Sequence, residues 1–268
     1  MKKFILESAP DSDGLVRILG KDYHYLAHVR RVVPGDQFMA VLLDGTETEL
    51  MICSTDGNAI TAQCLQPQPV YNSPIAPIIL FQALPKGNKM DLIIRQAAEG
   101  GISEIVPFES EYSIKIKASV VQNRIDKVQR WQRIIREARQ QSGSSTPTTV
   151  KSPLDFDGLL DYWEGLKKEY DSPGTGILLH HEMLGAPLDK GAFHDYLDNN
   201  PSFVVLAVGP EGGFSPGEAS LFVKAGFRPI KMGNTVLKTE TAALYGAAAI
   251  RIILLESDSW LPKKRKKL

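Results

Sequence analysis

Gly209, Gly212 and Gly213, with Glu211 among them, and Gly233 further on are the residues of this sequence whose types and spacing could form a ligand site. Glycine lets the backbone come close to a ligand. The spacing fits neither the dinucleotide pattern G-x-G-x-x-G nor the phosphate-cradling G-x-x-x-x-G-K-[ST]. Taken alone it suits a ligand loop or a tight turn equally. His180, His181 and Glu182 are ligand types in a row. Successive strand residues point to opposite faces, however, so the three are poorly placed to share one ion. Cys53 and Cys64 form no C-x-x-C pair and read as reduced structural thiols. No metal site is expected.

The elements that must hold these residues are readable. Phe203 to Val208 is a β-branched apolar run, as a buried parallel strand should be. The Gly209 loop follows directly. Ser215, Pro216 and Glu218 then predict a helix start, with serine at the N-cap, proline at N1 and glutamate closing a capping box. Gly226 ends that helix. Pro229 to Met232 is a further strand, and Thr239-Glu240-Thr241 opens an Ala-rich helix. Two strand ends with glycine loops, lying side by side, would make a ligand crevice in an open α/β sheet.

Upstream, the same alternation continues. Ile78 to Leu84 and Glu104 to Phe108 read as strands around a helix from Asn88 to Glu99, with Asn88 as its cap. Helices are expected over 122–141, 156–170 and 193–199, and a strand over 176–179. The helix of 122–141 carries a basic residue at every third position, and 142–147 after it reads as a mobile polar loop that could cover RNA. Residues 1 to about 66 are β-rich, with strands at 15–19, 37–43, 47–54 and 59–65. Turn signals stand at Asp44-Gly45 and Asp56-Gly57. A short helix from Asp22 to Val32, capped by Asp22, interrupts them. Four prolines in Gln66 to Pro77 mark a stiff linker. The predicted domains are therefore 1–72 and 73–258, with a basic tail at 259–268.

With 268 residues, 43% of them hydrophobic, the chain can fill one large core or two ordinary ones. Its 31 basic and 31 acidic residues balance, but Lys263, Lys264, Arg265, Lys266 and Lys267 concentrate at the end. The folded body is then slightly acidic, so nucleic acid would be met by local patches. The N-terminal apolar run is too short for a signal peptide, and no stretch is long enough to span a membrane. A cytoplasmic protein is expected.

Gly209-Pro210-Glu211-Gly212-Gly213-Phe214-Ser215, Glu218, Met232-Gly233 and Val236-Leu237-Lys238-Thr239-Glu240-Thr241-Ala242 resemble the C-terminal signature of a bacterial methyltransferase family. That family methylates N3 of a uridine in 16S ribosomal RNA. The block from Lys86 to Phe108, beginning Lys86-Gly87-Asn88-Lys89-Met90-Asp91, is similar to the family as well. The resemblance implies the SPOUT class, an α/β fold with a parallel sheet and a C-terminal trefoil knot. It also implies a small PUA-like β-barrel in front, through the helix, Arg30-Arg31 and Pro34-Gly35-Asp36.

Its further implications are specific. S-adenosylmethionine would sit on Leu179, His180, Leu206, Val208, Gly209, Pro210, Glu211, Gly212, Gly213, Met232, Gly233, Val236, Leu237, Thr239, Thr241 and Ala242. Lys238 would stabilise the uracil anion, with Glu240 and Glu211 to orient it or accept the imide proton. Arg30, Arg31, Lys86, Lys89, Arg136 and Arg139 would meet RNA. The partners implied are 16S ribosomal RNA or the assembled small subunit, and a second copy in a homodimer. Lys238, Tyr112 and Ser144 stand where the family carries arginine. A shifted RNA target, or RNA binding without turnover, are the competing readings.

Overall fold

The computed structural model describes residues 3–6, 8–42, 45–67, 75–115, 121–170, 173–181, 196–197 and 201–256. The basic tail, Glu182 and most of the helix expected over 193–199 lie outside them. Two units are present. One is Met1–Asn72 with Arg136–Pro147, the other Ser73–Ile135 with Thr148–Leu268.

In the first unit, β1 (Phe4–Ile5), β2 (Leu15–Ile18), β3 (Gln37–Val41), β4 (Glu47–Thr55) and β5 (Ile60–Pro67) form one sheet in the order β1-β3-β4-β5-β2. β1 runs parallel to β3 and the other pairs are antiparallel. Register shifts at Glu49/Leu50 and Ile52/Ser54 mark irregularities in the β4–β5 ladder. Such bulges bend a sheet, and this one curls as a half-barrel. Val16, Ile18, Phe38, Ala40, Leu50, Ile52, Ile60 and Ala62 alternate along the strands into one core with Tyr23 and Leu26.

Those last two residues correct the expected helix. α1 (Gly20–His24) starts early, with Leu19 at its N-cap and no side-chain cap, and Asp22 lies in the first turn. The helix must begin there to present Tyr23 and Leu26 to the sheet, where they are buried. It continues as a π-helix over Tyr25–Arg30 and stops at Arg31, whose φ is 53°. Arg30 and Arg31 are exposed at that end.

The segment 136–147 corrects a second expectation. Arg139 is buried, and its guanidinium donates to the carbonyls of Ser144 and Ser145 at 3.4 and 3.3 Å. Burial pushes its pKa down. Ser145 and Thr146 are buried too. The stretch read as a mobile cover is packed into the unit, and Arg139 holds it rather than facing RNA. Arg136, one turn earlier, is exposed.

The second unit is a three-layer α/β domain. β6 (Ile78–Ala83), β7 (Glu104–Phe108), β8 (Thr149–Val150), β9 (Thr175–Leu179), β10 (Val204–Val208) and β11 (Arg228–Ile230) form an all-parallel sheet in the order β11-β9-β10-β6-β7-β8. Period-two alternation assigns its faces. Ile79, Phe81, Val106, Phe108, Leu178, Val205 and Ala207 meet α4 (Phe156–Glu169) and α5 (Pro216–Lys224) in an aromatic layer with Trp163, Phe203, Phe214, Phe222 and Phe227. On the other face lie α2 (Lys89–Glu99) and α6 (Thr239–Glu256). Gly246 of α6 sits where a Cβ would come within 2.9 Å of Leu179 and Leu206. The small residue lets the helix settle onto the sheet. The basic helix is α3 (Val121–Ser142), with Trp131, Ile134, Ile135 and Ala138 buried.

Candidate functional site

The crevice forms at the carboxyl end of the parallel sheet, but not between adjacent strands as expected. β9 lies between β10 and β11, paired as Val208↔Leu179 and Ile230↔Leu179. The two glycine loops therefore flank the end of β9, and Leu179, His180 and His181 enter the site between them. The His180 N–H donates to the Ile230 carbonyl at 3.0 Å.

After Val208 the chain turns sharply. The Gly213 N–H donates to Pro210 at 3.0 Å, and Gly213 has φ 71°. A Cβ on Gly209 would meet the Gly213 backbone at 3.1 Å, so the turn requires glycine there. Phe214 anchors the loop by stacking on Phe108, centroids 6.3 Å apart. Ser215 and Glu218 form the predicted capping box at the start of α5. The buried Glu218 carboxylate also accepts from the Glu111 N–H at 2.8 Å. This holds the neighbouring loop so that Tyr112 lies against Gly212, where an added Cβ would come within 3.0 Å of it.

The first residue of α6 clamps the same loop from the other side. The buried Thr239 hydroxyl donates to the Gly209 carbonyl at 2.6 Å and accepts from Gln82 Nε2 at 3.0 Å. Thr239 thus fastens β10, β6 and α6 at one point.

The charged cluster differs from expectation. The sequence places Lys238 nearest the glutamates, yet among the described residues Lys238 pairs with neither and is exposed. Lys89, at the start of α2, takes that place. Its Nζ lies 2.6 Å from Glu211 Oε1 and 3.9 Å from Glu240 Oε2. The Lys86 backbone N–H adds bonds to Glu211 at 3.1 and 3.3 Å. Glu240 Oε2 is buried without a hydrogen-bond partner, so Lys89 is its charge compensation.

Burial pushes the Glu211 carboxyl up, but the Lys89 ammonium and the backbone N–H groups outweigh it and hold it below the usual glutamate value. The Glu211 carboxylate in turn holds Lys89 above the usual lysine value. The carboxylate's contribution to stability is lost as pH falls through its lowered value, and the lysine's is lost as pH rises through its raised one. The pair therefore holds across the neutral range. Lys89→Met is expected to move the Glu211 titration upward in carboxyl NMR. An unmoved titration would remove Lys89 as its cause.

These loops enclose a cleft of about 240 Å³. Of the residues expected around a cofactor, Leu179, His180, Val208, Gly209, Pro210, Glu211, Gly212, Gly213, Met232, Val236, Leu237, Thr239 and Ala242 line it. Leu206 does not: it shares the α6-facing side of β10 with Val208 but lies one pleat deeper, beneath Gly246. Gly233 and Thr241 are not in the lining either. His181 and, not singled out from the sequence, Ile230, Lys231 and Thr235 complete the lining. The insertion of β9 brings His181 and the end of β11 there, and no local pattern reports that pairing.

The donor set suits a ligand with an apolar flat part and a polar chain. Leu179, Ile230, Val236 and Leu237 supply apolar walls, and the glycines bring backbone groups close. Among the described residues no group of three His, Cys, Asp or Glu is placed to hold a metal ion. No described helix is long and apolar enough to cross a membrane.

Residues 72–251 match the family described as RNA methyltransferase domain. The chain is 34% identical over 242 residues to the ribosomal RNA small subunit methyltransferase E of Synechocystis sp., covering 90% of this chain and 74% of that protein. It is 27% identical over 260 residues to the protein of the same name in Mycobacterium tuberculosis, covering 96% and 93%. In fold it is similar to the Neisseria gonorrhoeae ribosomal RNA small subunit methyltransferase E bound to S-adenosyl methionine, with a TM-score of 0.73 at 24% identity over 94% of this chain and 98% of that one. A probable rRNA-methyltransferase from Porphyromonas gingivalis gives 0.75 at 22% identity, over 95% and 99%.

Proposed function

The chain belongs to the RNA methyltransferase family that matches its residues 72–251, and on that premise we propose that it methylates N3 of a uridine in 16S ribosomal RNA, using S-adenosylmethionine. The observation that carries this reading is the cleft at the ends of β9, β10 and β11, with its glycine loop clamped by Thr239 and its Glu211 carboxylate held by Lys89. The residues present fit the cofactor: apolar walls for the adenine, glycine backbone for its polar groups, and a tight loop in which a Cβ at Gly209 would press on the Gly213 backbone.

When bound, S-adenosylmethionine supplies a methyl electrophile on a sulfonium and leaves as a neutral thioether. The protein must align donor and acceptor, and most of the acceleration comes from that alignment. The uracil imide carries a proton that must leave as N3 bonds to carbon. Glu211 lines the cleft and is ionised at neutral pH, so it receives that proton. Glu240 faces Lys89 and fixes its position. Lys238, committed to neither carboxylate, stabilises the negative charge spread over the imide.

Arg30, Arg31 and Lys86 are exposed cations suited to RNA phosphates, and Arg136 is exposed as well. A homodimer, the trefoil crossing of the C-terminal segment, domain limits at 72/73 and 258/259, and a cytoplasmic place of action belong to the same proposal. The test is calorimetric titration with S-adenosylmethionine, followed by incubation of the complex with unmodified small-subunit ribosomal RNA. Binding and a new N3-methyluridine are expected. Binding without that nucleoside would point to another RNA target, and no binding would overturn the enzyme reading.

A further inference from the structure

A second pocket lies beside the cleft, in the same unit. It has a volume of about 140 Å³ and is bordered by Pro85, Asn88, Ile114, Lys127, Arg130 and Trp131. Two loops connect it to the cleft. The first is the stretch from Lys86 to Lys89. Its ends bind Glu211, through the Lys86 N–H and the Lys89 ammonium, while Asn88 between them borders the second pocket. The second is the stretch after β7. Tyr112 lies against Gly212 of the cleft, and Ile114 borders the second pocket, its N–H donating to the Leu84 carbonyl at 3.3 Å. The two cavities have no lining residue in common and are joined through these two loops.

The chemistry of the second pocket differs from that of the first. Its walls are partly apolar, and Lys127 and Arg130 stand on its rim. Arg130 is 55% exposed and forms an ion pair with Asp91, leaving Lys127 as uncompensated positive charge among the residues bordering the pocket. Asn88 stands at the N-cap of α2, yet its side chain makes no capping bond, so its amide is available to an incoming group. Tyr112, 47% exposed, lies against Gly212 of the cleft, two residues before Ile114 of this pocket. A slot with Pro85 and Ile114 on its walls and an amide and cations at its rim suits a nucleobase with its phosphate. An exposed aromatic ring beside it suits stacking on an unpaired base.

We propose that this pocket holds the nucleotide next to the methylated uridine, with Lys127 and Arg130 on the connecting phosphates and Asn88 at the base edge. The pocket thereby selects the RNA sequence or loop shape around the target. This rests on the RNA methyltransferase reading above. It also gives part of the basic spiral of α3 a function that the exposed charge pattern alone did not assign.

The test compares the full chain with the Lys127→Ala/Arg130→Ala double variant. The probe is a fragment of unmodified small-subunit ribosomal RNA. The KM for RNA is expected to rise about tenfold, with kcat and the cofactor Kd within about twofold. In fluorescence anisotropy, the slope of log affinity against log salt is expected to fall by about 1.4, the value for two single-strand phosphate contacts. Lys127→Glu alone, at an exposed position, serves if the double variant folds poorly, and should weaken RNA binding similarly. An unchanged RNA KM and salt slope, with active wild-type protein, would overturn the subsite and leave the function standing. An inactive wild-type protein would instead sink the function, and the anisotropy measurement would still decide whether this pocket binds RNA.

Discussion

Lys238→Ala is expected to lower kcat by about 10²–10³-fold, the usual effect of removing one group aimed at developing charge. Cofactor affinity should stay within a few-fold of wild type. The two halves of this expectation come from different parts of the site. On the proposed reading the cofactor rests on the glycine loops and the apolar walls, and Lys238 is not among the residues lining the cleft. Its ammonium is exposed and bound to neither Glu211 nor Glu240, because Lys89 occupies them. A cation that pairs with no carboxylate among the described residues costs the fold little when removed, so the loss should appear in turnover. Lys238→Arg is expected to retain most of the rate, since charge matters more here than the shape of the donor. Single-turnover kinetics with saturating cofactor reads both variants. Unchanged turnover in Lys238→Ala would take Lys238 out of the chemistry.

Thr239→Val should produce the opposite profile. The substitution preserves shape and removes the hydroxyl that donates to the Gly209 carbonyl and accepts from Gln82. Both partners are then left buried. A buried group without its partner costs about 1–3 kcal/mol, and Gln82 already carries one unpartnered oxygen. The damage falls on the loop that must be preorganised for the cofactor. We expect cofactor affinity to drop by about tenfold or more, on the same scale of energy. The midpoint of denaturant unfolding should fall with it. Thr239→Ser, which keeps the hydroxyl, should recover most of the loss. Equal cofactor binding in Thr239→Val and wild type would show that the clamp does not shape the loop.

The sequence by itself determined what depends on neighbours along the chain. Ser215, Pro216 and Glu218 specify the start of α5 because a capping box is closed within four residues. The apolar runs 78–83 and 204–208 specify buried parallel strands, since both faces are covered. The glycines at 209, 212 and 213 mark a tight turn, with Gly213 in the left-handed region. The family likeness of the signature then pointed to the chemistry.

What only the tertiary structure decided are pairings across long separations. Lys89 and Glu211 are 122 residues apart, and nothing local distinguishes Lys89 from Lys238 as the partner of the carboxylates. β9 slots between β10 and β11 because sheet order is set by packing of whole elements, and that placement carries His181 into the cleft. Arg136 and Arg139 look alike in the sequence. One turn of helix separates a solvent-facing charge from a buried one that holds backbone carbonyls. Local structure follows from short-range sterics and hydrogen bonds, which the order of residues encodes directly. The partner of a charge depends on which surfaces come together when the core closes, and that is a property of the whole fold.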